Sequence, residues 1–380
     1  MVKPLFIDVH ILQSVPPSNI NRDDTGSPKT ARFGGVTRAR VSSQAWKKAT
    51  RDLFSSYLAE DEIGWRTKHV VELISDCAAS KQPDLATDKL VEASAEALSA
   101  TGIKVTDKEI GYLLFLSPKQ VEGLADLAIK SLETETTIEK KAAKEVLNIK
   151  QNPALNAIDV ALFGRMVADA PDLNVDAAVQ VAHAISVGRA QTEFDYFTAL
   201  DDCSPEDNAG AAMIETTEFT SSTLYRYADI DVFHLCENLG SAMAACKGIE
   251  AFLRSFTFSM PTGKQNSFAN RTLPTAVIVE LRETQPVSLV NAFEKPVMAT
   301  AEKSQIECAC KRLIAQESAI DEAFGINPKK AFVVIASPDA NALKEFPNSQ
   351  AVSFDEMISH VSEVCAAYLV EVGYTSEGQE

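Results

Sequence analysis

The chain has 380 residues, 46% of them hydrophobic, and a formal charge of −17. That acidity excludes indiscriminate adsorption to nucleic acid or to an anionic membrane, because the mean field repels both, and no apolar run reaches the ~18 residues a spanning helix needs. A soluble, cytoplasmic protein with no membrane partner is expected, and any polyanion has to be met by a local concentration of positive charge.

That concentration comes early. Residues 5 to 11 alternate Leu5, Ile7, Val9 and Ile11 with Phe6, Asp8 and His10, the pattern of a half-buried strand. The polar stretch SVPPSNINRDDTGSPK follows and reads as a long exposed loop. From Thr25 to Arg51 there are then seven basic residues (Lys29, Arg32, Arg38, Arg40, Lys47, Lys48 and Arg51) and no acidic one. Gly34 and Gly35 mark a turn, and Ser42 or Ser43 is placed to cap a helix. On that helix Gln44, Lys47, Lys48 and Arg51 share one face, while Trp46, Ala49, Leu53 and Tyr57 share the other. Because Lys47 and Arg51 point away from Trp46 and Leu53, reversing both to Glu is expected to leave the monomer folded.

From about 60 to 190 the pattern is helical and net acidic with no convincing strand, ending in a helix over roughly 174–187; it reads as an inserted helical subdomain. Residues 191–217 are an excursion. Between Gln191 and Asp231 there are ten acids against one base, Arg226, so this stretch does not grip phosphate, and its tip ends in the apolar pair Met213 and Ile214. Strand alternation returns over 218–230. A helix follows over 235–255, a polar loop over 261–272 that carries Lys264 and Arg271, a strand over 275–281, a helix around 302–322, a strand over 331–336 and a C-terminal amphipathic helix. Strands and helices alternating outside the insertions imply an α+β core of ferredoxin-like type.

Catalytic and cofactor motifs are missing. PTGKQ lacks the first glycine of a phosphate-binding loop and the hydroxyl residue after its lysine, and no GxGxxG, GxSxG or HExxH occurs. Seven cysteines form no CxxC pair and five histidines are scattered, so free thiols, no metal and no cofactor are expected. Asp23 and Asp24, beside Arg22, are the one carboxylate pair of catalytic interest, since paired carboxylates hold Mg²⁺ for phosphoryl chemistry. The basic run has a plainer use. Fixed cations along a loop and a helix track a single-stranded backbone by charge, giving affinity without a sequence code.

The segments NRDD (21–24), FGGVTRARVSSQAWKKATR (33–51), DVALFGRM (159–166), HAIS (183–186), FDYFTALDD (194–202), TEFTSSTLYRYADID (217–231), ENLG (237–240) and NAFEKPV (291–297) occur in this order. Together they resemble the CasC family, the repeated backbone subunit of the type I-E CRISPR surveillance complex, Cascade. The resemblance implies an RRM-like (ferredoxin-like) palm over residues 1–58 and 217–380, an inserted helical fingers domain over 59–190 and a protruding thumb over 191–216. It also implies copies assembling head to tail along a CRISPR RNA, each thumb flipping one nucleotide out and leaving the rest to pair with target DNA, in company with other Cascade subunits.

By the same resemblance Arg22, Lys29, Ser42, Gln44, Lys47, Lys48 and Arg51 hold the guide backbone, Met166 packs near the kink, and Thr198 and Ile214 form the wedge. Lys264 adds a basic contact from its loop. A noncatalytic scaffold is implied. The alternative is an RNA endonuclease, since type III backbone subunits share this fold and cleave through a loop aspartate, for which Asp23 and Asp24 are the candidates. Two features depart from the family: a longer thumb tip, SPEDNAG, and Met298 and Thr300 where some relatives carry lysines.

Overall fold

The first strand sets the architecture. The computed structural model describes residues 3–199 and 213–374, and in it β1 spans Phe6–Ser18, well past the expected end. Its register with its neighbour slips between Val15 and Ser18, which lets Pro16 and Pro17 sit in extended backbone without owing a ladder hydrogen bond. Asp8 and His10 are as fully buried as Ile7 and Val9, so β1 is a central strand with both faces covered, not a half-buried one.

The hairpin β2 (Thr30–Phe33) and β3 (Val36–Val41) comes next, then helix α1 (Ser43–Asp52). A mostly helical region follows: β4 (Trp65–Thr67), α2 (Val70–Lys81), α3 (Thr87–Ala100), β5 (Val105–Thr106), β6 (Glu109–Ile110), β7 (Leu114–Leu116), α4 (Pro118–Thr134), α5 (Lys140–Leu147) and α6 (Ile158–Phe163). Then come β8 (Val179–Val181), β9 (Ala184–Ser186), β10 (Glu193–Ala199), β11 (Met213–Asp231), α7 (Val232–Leu239), α8 (Ala242–Phe258) and the single turn α9 (Gln265–Phe268). The chain closes with β12 (Ala276–Arg282), α10 (Gln305–Phe324), β13 (Lys330–Ile335), β14 (Ser349–Ala351) and α11 (Phe354–Glu371).

These elements build a mixed α/β fold around one large sheet in the order β14-β13-β12-β1-β11-β9-β3-β2, with β8 and β10 also paired to β11. One face, lined by Ile7, Val9, Ile11, Leu224, Ala228, Val277 and Val279, packs against α1, α7, α8 and α11. The opposite face, with Leu12, Tyr225, Tyr227 and Ile278, packs against α10 and the 3-10 turns Leu289–Phe293 and Pro338–Glu345. Helices α2, α3 and α4 gather a separate core around Ile74, Leu90, Leu98 and Leu124.

Several expected elements differ. Residues 174–187 are not a helix: Val179–Val181 and Ala184–Ser186 are strands hydrogen-bonded to β11, and β9 also to β3. The apolar positions Val175, Ala178, Val179, Ala182 and Ile185 keep helical spacing, but pairing with β11 and β3 overrides it, with Gln180 and His183 left exposed. Short strands also occur where none was expected, β4 with β7 and β5 with β6. The helix over 235–255 is two helices, because Gly240 takes φ +66° and caps α7 in the left-handed region. Among the described residues no helix is long and apolar enough to cross a membrane, and the six described cysteines are free.

Candidate nucleic-acid interface

The basic segment is held in place by its own turn and by one buried arginine. Phe33 pairs with Val36, and the two residues between, Gly34 at φ +58° and Gly35 at φ +78°, match the two-residue hairpin turn that needs positive φ twice. A Cβ on Gly34 would lie 1.6 Å from the carbonyl oxygen of Glu294, so the turn is pressed onto the 291–297 segment. Arg38 is fully buried beneath it. Its guanidinium donates to the carbonyls of Ser186 (3.0 Å), Val187 (2.7 Å) and Phe293 (2.7 Å), tying the hairpin to β9 and to that segment. Arg38 is therefore scaffold, not a surface cation.

Beside the hairpin, a shallow groove is lined by Ser18, Asn21, Lys29, Arg40, Thr220 and Ser222. The turn over 21–29 forms its wall. Lys29 N–H donates to the Asn21 carbonyl, and the Asn21 side chain accepts from Ser42 N–H at 2.9 Å. Ser42 caps α1 by accepting from Ala45 N–H and is itself buried, so its hydroxyl is committed to the helix end. Gln44 next to it is exposed.

Helix α1 is anchored from below. Trp46 is completely buried, and the guanidinium of Arg226 lies 3.7 Å from its ring centroid. The four polar residues predicted for its outer face are not equivalent. Lys47 is half-buried over the Phe163 ring at 5.9 Å, and burial lowers its pKa. Lys48 pairs with Asp52 at 2.7 Å in solvent. Arg51 turns inward: it donates to the fully buried Asp159 at 2.7 Å and to the Gly64 carbonyl at 2.5 Å, and stacks over Phe115 at 4.7 Å. Burial raises the Asp159 carboxyl pKa, while Gly64 N–H and Arg51 oppose the rise. Arg51 thus latches α1 to the helical region. Reversing it to Glu would set two carboxylates against each other, so the double reversal with Lys47 is not a neutral change for folding.

Of the seven cations, Lys29, Arg32, Arg40 and Lys47 have no carboxylate partner among the described residues, and exposed Arg22 joins them from the neighbouring turn. Of these five, Lys29 and Arg40 line the groove, and Arg22, Arg32 and Lys47 stand on the 21–29 turn, on β2 and on α1.

The remaining predicted residues stand on other elements. Strands β10 and β11 form a two-stranded ribbon in which Thr198 is the direct cross-strand partner of Ile214. On β10 the Phe194 and Tyr196 side chains are 68% and 74% exposed, unusual for large aromatics. Lys264, at φ +46°, reaches the ribbon base and donates to Thr217 Oγ1 at 3.2 Å, while Phe268 packs near Phe219. The loop after α6 carries Met166, 79% exposed. Its neighbour Arg165 is buried and donates to the carbonyls of Leu147 and Leu173, which leaves Met166 facing out. The residues SPEDNAG, expected as the tip of a thumb, lie outside the described residues.

Comparison with known proteins decides the family. The model of the CT1975-like protein family matches residues 7–360. The chain belongs to the CT1975-like, CasC-type family. A chain from a solved structure described as "CRISPR RNA-guided surveillance complex, pre-nicking" is 29% identical, with a TM-score of 0.79 over 95% of this chain and 100% of that one. A second, from a "CRISPR RNA-guided surveillance complex", is 24% identical, with a TM-score of 0.72 over 94% and 99%, a likeness of fold. No curated protein matches the chain.

For this CasC-type chain the two acidic candidates separate. Asp23 Oδ1 accepts from Thr25 N–H, Thr25 Oγ1 and Ser27 N–H, and these bonds, Thr25 first, hold its pKa below the ordinary value. Asp23 therefore builds the turn that carries Arg22 and Lys29. Asp24 is exposed beside it. The group with metal-ligand spacing among the described residues is Asp8, His10 and Glu280. It is fully buried, and Arg282 already supplies its positive charge, 3.0 Å from Asp8 and 2.9 Å from Glu280. Sequence reasoning missed His183, which sits against Arg40 and the first turn of α1. Only the motif HAIS drew attention to it.

Proposed function

We propose that this CasC-type chain is a noncatalytic, guide-holding backbone subunit of a type I-E CRISPR RNA-guided surveillance complex. In this reading residues 1–58 and 217–380 are an RRM-like palm, 59–190 the helical fingers and 191–216 the thumb. Copies assemble head to tail along the CRISPR RNA, in company with other Cascade subunits. The ribonucleoprotein presents guide bases to target DNA in cytoplasmic antiviral defence, and needs no cofactor.

The observation that carries this reading is the set of cations Arg22, Lys29, Arg32, Arg40 and Lys47, without carboxylate partners among the described residues, on a chain of charge −17. Cations free to neutralise phosphates displace the counterions condensed on the nucleic acid; cations already paired inside the fold do not. The strongly acidic remainder discourages a polyanion from settling elsewhere. Protein that holds only the backbone leaves base edges free, so sequence is read by Watson–Crick pairing, and bases held in order lower the entropy cost of pairing. Thr198 and Ile214 sit side by side on the ribbon, in keeping with a single wedge, and Met166 offers a second apolar surface.

Purifying the complex and sequencing the RNA it carries tests the reading: spacers flanked by repeat fragments are expected, and random fragments would refute it. The endonuclease alternative is tested by adding complementary RNA and Mg²⁺ to the assembled complex. Cleavage at regular spacing, lost in Asp23→Ala or Asp24→Ala, would replace the scaffold with an enzyme; no cleavage is expected.

A further inference from the structure

His183 lies between β8 and β9, exposed, at the place where the hairpin meets α1. Its Nδ1 is within hydrogen-bond distance of Arg40 Nη1 (3.3 Å) and of Ser43 N–H (3.4 Å). Both of these groups are donors with no lone pair to offer, so Nδ1 has to be the acceptor. A neutral imidazole that accepts at one nitrogen carries its proton on the other. The hydrogen bonds on this ring therefore fix the tautomer with the proton on Nε2.

We propose that His183 is a further RNA-backbone residue of this protein, a neutral donor whose Nε2–H meets a phosphate or ribose oxygen between the cations Lys29 and Arg40. The inference rests on the RNA-binding reading above and adds to it a residue of a different kind. The charged groups facing the ring are Arg40, from β3, and Lys29, from the loop before β2; burial first, then Arg40 and Lys29, lower the pKa of His183. A protonated ring would have to surrender both bonds at Nδ1 and stand as a third cation beside two others. A neutral donor costs neither. It gives the surface beside Arg40 a contact that depends on geometry rather than on net charge.

The two kinds of contact answer differently to salt. Removing a phosphate-binding lysine flattens the plot of log affinity against log salt by about 0.7 for a single strand. Removing a neutral hydrogen bond lowers the whole line without changing its slope. The experiment measures binding of a fluorescein-labelled single-stranded RNA, long enough for several copies, to full-length wild type, His183→Ala, His183→Gln and Lys29→Ala, across salt concentrations and from pH 6.5 to 8. His183→Ala should weaken binding by about tenfold at unchanged slope. His183→Gln, whose amide has an acceptor and a donor of its own, should recover part of the loss, and Lys29→Ala should flatten the slope. Wild-type affinity should change little over that pH range, since the bonds at Nδ1 hold the ring neutral and burial, Arg40 and Lys29 lower its pKa.

Wild-type binding that is unaffected in His183→Ala overturns this inference and leaves RNA binding standing. So does a loss of slope in His183→Ala as large as that in Lys29→Ala, or a wild-type affinity that climbs toward pH 6.5 and is level in His183→Gln, since either makes the ring a cation. Absence of wild-type binding even at low salt refutes the RNA-binding reading itself. Far-ultraviolet circular dichroism and melting temperatures matching wild type show that each variant is folded.

Discussion

The two faces of the large sheet bury arginine in opposite ways. Toward α1 and α8, Arg226 lies between the rings of Trp46 and Phe256, donates to Gln13 Oε1 and to the Phe256 carbonyl, and meets no carboxylate among the described residues. Its pKa is pushed down to about 9 by burial, still charged at neutral pH. Toward α10, Arg282 touches Asp8 at 3.0 Å, Glu280 at 2.9 Å and Glu317 at 2.5 Å. His10, fully buried, is pushed down to about 4 by burial, stays neutral and bridges Glu280 and Tyr225. One residue type thus leaves one face with an uncompensated positive charge and serves the other as counter-ion to three acids. The segregation of charge seen along the sequence continues through the interior, with the uncompensated cation beneath the helix that begins at the groove.

Deleting each arginine breaks the comparison most sharply. Arg282→Met leaves three buried carboxylates without their cation and should destabilise the fold by about 3–5 kcal/mol in urea titrations. Arg51→Glu places a second carboxylate against buried Asp159 and should cost about 3 kcal/mol for the same reason. Arg226→Met replaces carbonyl and ring contacts with an unbranched chain of similar length and strands no anion, so a cost of about 1–2 kcal/mol is expected. Equal costs for Arg282→Met and Arg226→Met would erase the distinction between the faces. Lys47→Glu gives up the contact over the Phe163 ring and should cost about 1 kcal/mol in stability while losing most affinity for single-stranded RNA in a filter-binding assay.

The smallest effect lies at the solvent edge of the acidic face. The Asp321 pKa is raised from 3.8 to about 6, by burial first and by Glu317 next. A carboxyl that holds its proton more tightly when folded stabilises the fold at low pH and loses that contribution as pH rises through the folded value. Melting curves should therefore show Asp321→Asn gaining on wild type between about pH 4 and 6 and running parallel above. A gap that widens instead as pH falls would reverse the sign.

What was legible in the sequence is what neighbours in sequence decide. The glycine turn, the cap at Ser42, the buried and exposed sides of α1 at Trp46 and Lys48, and the helix carrying Met357, Ile358 and Val361 all follow from residues within a turn or two. Partners far away were invisible. Arg51 finds Asp159 across 108 positions and His183 finds Ser43 across 140, and nothing local to Arg38 announces that it ends among the carbonyls of β9. Counting charge therefore overstated the surface track: three of the seven cations in residues 25–51, Arg38, Lys48 and Arg51, are buried or paired. The strands at 179–186 carry apolar residues at a spacing that also fits a helix, and only the sheet beside them decides between the two.

The salt dependence of wild-type binding to single-stranded RNA tests the central claim most directly. Five unpaired cations, each neutralising one phosphate, predict a slope of about −3.5 in log affinity against log salt. A slope shallower than about −1, or one that persists when Lys29, Arg40 and Lys47 are all changed to Ala, would contradict it.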